Sequence, residues 1–524
     1  MPAVEVGSII EYRWKEVRPG ALAALLSYLR LQFQRDIPVQ FVKYYLKPTS
    51  LGAGYTSIGM ASKTFNGNAQ FVQEKNGFYS TTMTNVPAFH EEPRMPPEDQ
   101  VRTWMLVFYQ LERNKKPDEY WSQLGKEQFE KVKPRLKVND DIKKASVAAI
   151  GDASTPEQKL ERLFDFVRAK IKNVDSEASG ITASERAKLR ENNSPGDTLK
   201  RGTGTGENIN ALFAALAIAA GFDVRPAYLG DRSDFFFDPN FTDPYFRSGD
   251  DVAVKVGNDW KFFDPASTYI PFGMLRWQEE AMKALIIDPK GGFFVDVPLS
   301  PAEKSKERRN GKFKLTEDGT LEGDVRIEYT GHLAAEKKQQ NDDDSPTQRE
   351  QNLKDMVTHR LSTAELSEIK IENVTDPAKP FVYSFHVRVP GYAQKTGKRL
   401  FVQPGFFEHG RNAVFSSNER KYQVYFHYPW LEEDTLTIDL PRGYELDHPE
   451  QPAPLRSGDV VDYDVKISVV NKSEQLMYHR KFKFQGLLFP TATYSTLKQV
   501  FDLVHESDNH TITLKQTITA KTDQ

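Results

Sequence analysis

The alternation of apolar and polar positions changes period twice along this chain. From residue 1 to about 112 it repeats every second residue in "SIIEYRW", "FVKYYLKP" and "FYSTTMTNV", runs separated by clusters of Pro, Gly and Asn. Such runs are strands joined by turns, so a β-rich N-terminal domain is expected over 1–112. "ALAALLSYLRLQF" breaks the alternation with a helix-like run, and "HEEPRMPPEDQ", rich in proline and acid, reads as an extended surface segment.

Near Pro117 the period becomes helical, first in "PDEYWSQLGKEQFEKVKPRL" and then in "TPEQKLERLFDFVRAKI". In the second helix Thr155 is the expected N-cap, Pro156 takes the first helical position and Gln158 the third, and Leu160, Leu163, Phe164, Val167 and Ile171 form one apolar face. A third helix follows the glycine-rich "RGTGTGENINALF": Ile209, Leu212, Phe213 and Leu216 recur at helical spacing, alanines fill the gaps, and Gly221 closes it. The strands "DVRPAYL", "DVAVKV" and "DWKFFDP" come next, the last two joined as a hairpin through Gly257-Asn258-Asp259. Helices followed by an antiparallel sheet predict an α+β core over 113–300.

Beyond Pro301 the charged "PAEKSKERRNGK" reads as a linker or exposed edge, "KFKLTEDGTLEGDVRIEY" as a hairpin turning at Asp318-Gly319, and "SPTQREQNLKDMVTHRL" as a polar helix capped by Ser345. From Ile369 to about Thr519 strand patterns return at a spacing that fits a β-sandwich. The expected C-terminal part, 301–524, is therefore β-rich with a helical insertion. The fold class predicted for the whole is multidomain α+β, a central α+β core flanked by β-sandwich-type domains.

Composition narrows the chemistry. A formal net charge of -3 gives no electrostatic case for nucleic acid or anionic lipid as partner. No apolar run approaches the roughly 20 residues of a membrane span. The first residues carry no basic segment followed by an apolar one, as a signal peptide would; they open on strand-like alternation and read as an N-terminally shortened form, compatible with a periplasmic or exported protein, so localisation stays open. The chain has 0 cysteines among its 524 residues, which excludes disulfides, thiolate metal sites and thiol catalysis throughout.

The glycine-rich loop is not a phosphate cradle by its spacing. A P-loop places Lys-Ser/Thr after its last glycine, whereas Gly206 is followed by Glu207-Asn208. What stands out is the position of Gly206 at the start of a buried helix, where unpaired N–H groups and the helix dipole would ionise a thiol.

These segments resemble the transglutaminase-like superfamily, whose papain-like core places a Cys at the start of a buried helix, a His at the start of a strand and an Asp on the next strand, typically before a Pro. "TLKRGTGTGENINALF" has the loop and helix pattern with Gly206 at the cysteine position, "DVAVKV" has the His strand with Asp251 at the histidine position, and "WKFFDPAS" keeps the Asp as Asp264. The flanking segments "VGSIIEYRW", "FQRDIPVQFVKYYLKP", "STYIPFGMLRW" and "IDLPRGYEL" resemble a bacterial architecture in which this core lies between an N-terminal β-rich domain of unknown function and a C-terminal β-rich domain. The histidine inventory agrees with the substitutions, since none falls between His90 and His332. An imidazole accepts the thiol proton in the family mechanism, and neither group is present in the core.

The resemblance therefore implies a catalytically inactive, bacterial, envelope-associated module that binds or scaffolds. Its expected ligand is a peptide, protein or glycan in a groove lined by Gly206, Glu207, Asp251, Trp260 and Asp264, with Thr205 beside them. No cofactor and no metal are expected. The alternative is a hydrolase or acyltransferase with non-thiol chemistry, in which Asp251 and Asp264 share a proton and act as acid and base. A further option places binding on the flanks: "QVYFHYPWL" as an aromatic platform, though such positions are more often core, and Asp231, Asp234 and Asp238 of "DRSDFFFDPNFTDPYF" as a Ca²⁺ loop, though a solvated loop fits that spacing better.

Overall fold

A computed structural model describes residues 28–48, 59–110, 115–176, 179–447, 450–470 and 474–517. The chain divides into two compact units, one made of Met1–Glu91 with Pro97–Lys116 and the other of Glu92–Pro96 with Pro117–Gln524.

The first unit pairs strands in two small antiparallel sheets. β1 (Leu29–Gln32), β3 (Gly59–Phe65) and β5 (Trp104–Gln110) form one, in the order β1-β5-β3, and β2 (Val39–Leu46) pairs with β4 (Tyr79–Val86) in the other. Their inner faces meet around Leu31, Phe33, Met105 and Val107, with Val42, Tyr44 and Met83 packed against them. Residues 29–32 thus correct the helical reading of "ALAALLSYLRLQF": the alternation Leu29, Leu31 matters more than the leucine content once Leu31 pairs with Met105. The rest of that run, and "SIIEYRW", lie outside the described residues.

In the second unit, helices α1 (Pro117–Val132), α2 (Asp140–Ile150), α3 (Pro156–Lys170), α4 (Pro195–Arg201) and α5 (Gly206–Ala219) precede a five-stranded antiparallel sheet. Its strands are β6 (Asp223–Gly230), β7 (Arg247–Val256), β8 (Asp259–Phe263), β9 (Lys283–Ile286) and β10 (Phe293–Asp296), in the order β8-β7-β6-β9-β10. α3 starts at a capping box between Thr155 and Gln158. α5 ends in a Schellman motif: Phe222 N–H donates to the Ala217 carbonyl and Gly221 N–H to that of Ile218, with Gly221 at φ 90°. α5 is apolar on nearly every side because it is enclosed, with α2 and α3 to one side and Val252, Val254 and Phe263 of the sheet to the other.

Beyond residue 301 an eight-stranded sheet runs in the order β13-β14-β12-β11-β15-β18-β17-β16, where β11 is Lys306–Leu315, β12 Leu321–Tyr329, β13 Glu365–Glu372, β14 Phe381–Val389, β15 Trp430–Asp439, β16 Leu455–Ser457, β17 Val461–Val470 and β18 Gln475–Phe484. A smaller four-stranded sheet contains Arg399–Val402, Ile512–Gln516 and Tyr444–Asp447. Helices α6 (Gly331–Asn341), α7 (Pro346–Thr358) and α8 (Tyr494–Asp508) complete this region. α7 is capped by Ser345, whose side chain accepts from Gln348 N–H.

Two expectations fail here for identifiable reasons. "KSKERRNGK" is neither linker nor edge: β11 lies between β12 and β15, and Arg309 in its middle is buried because Asp434 of the adjacent β15 and Glu408 of a turn, both far away in sequence, neutralise it. Residues 494–508, read as strand territory, form α8, whose Tyr494, Leu497, Phe501 and Val504 line one helical face. The aromatic run "QVYFHYPWL" is core, with Val424, Tyr425, Phe426 and Tyr428 all buried. The acidic loop after β6 is not simply solvated either, since Phe235 stacks on Phe246 and Arg232 is buried, donating to the Tyr425 hydroxyl at 2.7 Å.

Candidate functional site

Thr205 and Asn208 form the capping box of α5: Asn208 N–H donates to the Thr205 hydroxyl at 3.3 Å, and Thr205 N–H donates to Asn208 Oδ1 at 3.2 Å. Gly206 is the first helical residue, and its N–H donates to Asp175 Oδ2 at 2.9 Å. A carboxylate thus occupies the positive end of the helix. A Cβ added at Gly206 would stand 3.4 Å from the Ala266 methyl and 3.9 Å from Asp175 Oδ2, so a side chain fits there. Glu207 turns outward into an ion pair with Arg135.

Asn210, one turn beyond Gly206 on the same helix face, ties α5 to the sheet. Its Nδ2 donates to Asp264 Oδ1 at 2.8 Å and to the Asp250 carbonyl at 3.0 Å, while its Oδ1 accepts Ala266 N–H at 3.2 Å. Asp251 and Asp264 lie one step beyond the last β7–β8 pair, Val252 opposite Phe263. A third carboxylate, Glu279, joins them from the loop before β9, and oxygens of the three lie within 4.8 Å of one another. The residues are 3%, 8% and 0% exposed for Asp251, Asp264 and Glu279.

Burial acts first on these acids, and like charge adds to it. Asp251 is pushed well above the usual carboxylate range by desolvation, then by Glu279 and Asp264. Glu279 is raised to about 7 by burial, with Arg276 opposing and Asp264 adding to the rise. Burial would lower the Arg276 guanidinium, but Glu279, Asp264 and Asp251 outweigh it and raise it. Arg276 pairs with one oxygen of Glu279; Asp251 Oδ2 and the other Glu279 oxygen, Oε2, are buried without a hydrogen-bond partner.

A cavity of about 570 Å³ opens beside Asp175 and Arg276, and Glu336, Asp342 and Asp343 also line it. His332, from α6, is part of its wall and lies 3.2 Å from Glu280 Oε2, so an imidazole absent from the core's own sequence reaches it from the following segment. Trp260 stands apart: it faces Lys255 across the hairpin and lines a separate cavity of about 270 Å³ with Phe262 and Met274. Four steps along the chain separate it from Asp264, a span of about 13 Å. Thr205, Gly206, Asp264 and Asp251 are linked through Asn210 and the strand ends, and Trp260 is not among them. Asp231 and Asp238 serve their own turns, accepting from Ser233 N–H at 2.7 Å and Asn240 N–H at 3.0 Å.

Sequence reading missed Glu279. It sits in "MLRWQEEAM", where the adjacent pair Glu279-Glu280, three positions after Arg276, offered the signal.

Comparison with known proteins adds the following. A family model described as "Domain of Unknown Function with solved-structure structure (DUF3858)" matches residues 398–514. No curated protein matches the chain. A solved structure from Parabacteroides distasonis, described as "a putative protease", is similar at 11% identity with a TM-score of 0.50, covering 93% of this chain and 75% of that one. At that identity the likeness concerns the fold alone. A second, "a putative cysteine protease" from Cytophaga hutchinsonii, is 13% identical over 46% of this chain and 75% of its own, with a TM-score of 0.19 that carries no weight on fold. Among the described residues no helix is long and apolar enough to cross a membrane.

Proposed function

We propose that this chain is a catalytically inactive transglutaminase-like protein of bacterial, envelope-associated type that works as a binding or scaffolding module. In this reading the chain has a β-rich N-terminal domain over 1–112, a transglutaminase-like core over 113–300 and a β-rich C-terminal domain over 301–524. Gly206, Asp251 and Asp264 stand at the positions of the nucleophile, the base and the orienting acid. One observation carries the reading. The helix start that would activate a thiol holds a glycine whose N–H is engaged by Asp175, in a chain with 0 cysteines. The acidic cavity beside Asp175 is the natural place for a peptide, protein or glycan ligand to lie, and its carboxylates favour a basic one.

The alternative, hydrolysis or acyl transfer by Asp251 and Asp264, draws support from the Asp251 carboxyl, which burial and the neighbouring acids raise above its ordinary range. Against it, Asp251 is almost wholly enclosed, and the Thr205 hydroxyl already serves as helix cap.

The test is amine incorporation into a glutamine-bearing protein, together with peptide hydrolysis, for the unmodified chain and the Gly206→Cys/Asp251→His double variant. The proposal expects a silent unmodified chain and activity in the double variant. Activity in the unmodified chain would overturn it in favour of carboxylate chemistry.

A further inference from the structure

Three carboxylates enclosed together, with one guanidinium at their edge, make an uneven charge balance. Asp251, Asp264 and Glu279 bring three acids, and Arg276 pairs with a single oxygen of one of them. Acidic clusters elsewhere in this core differ, because the oxygens of Asp231 and Asp238 are spent on neighbouring N–H groups. Here Asp251 Oδ2 and Glu279 Oε2 are buried and bond to nothing, in residues that each bring a carboxylate oxygen within 4.8 Å of the other two. Leaving such oxygens without a partner is costly, so a native core supplies one.

We propose that Asp251, Asp264 and Glu279 form a binding site for a hard divalent cation of about the size of Ca²⁺. The donor set is entirely carboxylate oxygen, which selects hard ions over those preferring nitrogen or sulfur. Oxygens within 4.8 Å of one another suit an ion with ligands at about 2.3–2.6 Å, since two opposite ligands then span up to about 5 Å. Water completes the coordination.

The Arg276 side chain is 38% exposed and lines the cavity of about 570 Å³ together with Asp175, Glu336, Asp342 and Asp343. Arg276 pairs with Oε1 of Glu279 and competes with the ion for the same charge. This gives the site a signature: removing a carboxylate weakens cation binding, and removing the arginine strengthens it. The inference does not depend on the inactive reading above, for a cation could serve a binding module or an enzyme equally.

The test uses the full chain stripped with chelator and titrated calorimetrically with Ca²⁺, Mn²⁺ and Mg²⁺ separately, with thermal unfolding followed in parallel. One Ca²⁺ per chain is expected, with a Tm that climbs with the logarithm of its concentration. Asp251→Asn and Glu279→Gln should each lose roughly tenfold or more in affinity, Arg276→Gln should gain affinity, and Asp238→Asn should match the unmodified chain. The Arg276→Gln variant keeps all three acids, so it tests the site even if a carboxylate variant folds poorly. Absence of both heat and Tm shift up to about 10 mM Ca²⁺, beyond the weak end of protein calcium sites, would overturn the proposal. So would binding that survives Asp251→Asn and Glu279→Gln unchanged.

Discussion

Two groups of buried charge in the second unit are built on opposite terms. In the eight-stranded sheet, Arg309 and Arg480 flank the acids of β15. Arg309 donates from Nε to Asp434 at 2.6 Å and from Nη2 to Glu408 at 2.6 Å, while Arg480 grips Asp508 from Nε and Nη2 at 2.6 and 2.8 Å and reaches Glu432 from Nη1 at 2.6 Å. Tyr463 and Trp430 donate to the same acids at 2.8 and 3.0 Å. In the α+β core, Asp251, Asp264 and Glu279 have one arginine between them and two oxygens with no partner. Equal burial thus has unequal consequences: in the first group every acid is bonded to a guanidinium, although Arg309 Nη1 is left without a partner, while the second holds carboxylate oxygens without partners beside a cavity. The position of a buried acid says little about function until its partners are counted.

The largest effect should come from breaking the paired network. Arg480→Met strands Asp508 and Glu432 without their guanidinium and should cost about 3–5 kcal/mol in urea unfolding; a loss below the error of the method would show that the network contributes nothing. In the uneven group the sign reverses. Asp251→Asn replaces a carboxyl whose charged form burial and the neighbouring acids disfavour, and should stabilise the cation-free protein by about 1 kcal/mol.

Glu279 of one group and Glu408 of the other should titrate in opposite directions. Glu279 is raised to about 7 in the folded chain from an ordinary 4.5, so the folded state holds more protons between those values and its stability falls as pH rises through that window. Glu279→Gln should flatten that slope in chelated buffer, and an unchanged slope would assign it elsewhere. Burial would raise Glu408, but Arg480, Arg309 and Arg411 outweigh it and hold it well below the usual carboxylate range. Its contribution is therefore complete above the ordinary carboxylate value and is lost as pH falls below it. Least of all should change with Gly206→Cys, whose Cβ meets nothing closer than 3.4 Å; a shift of about 0.5 kcal/mol or less is expected, and a large loss would mean the helix start is packed too tightly for any side chain.

Local signals were legible in the sequence, and distant compensation was not. The helix at 206–219, the Thr155 capping box and the Gly221 closure each follow from residues within one or two turns of each other. β11 was misread because its charges looked solvated, and only Asp434 and Glu408, 125 and 99 positions from Arg309, make their burial tolerable. α8 shows the other failure, a helical apolar spacing obscured by β-branched and aromatic neighbours. At the candidate site, Asp251 and Asp264 could be paired from their strands, whereas Glu279 arrives by a loop and left no spacing to read.

The most direct measurement is the unfolding free energy of Asp251→Asn against the unmodified chain, both freed of divalent ions and compared in the same buffer. If these acids are uncompensated, the variant is the more stable of the two. If Asp251 instead belongs to a satisfied network like that around Arg480, the variant loses stability, and the contrast on which this account rests is contradicted.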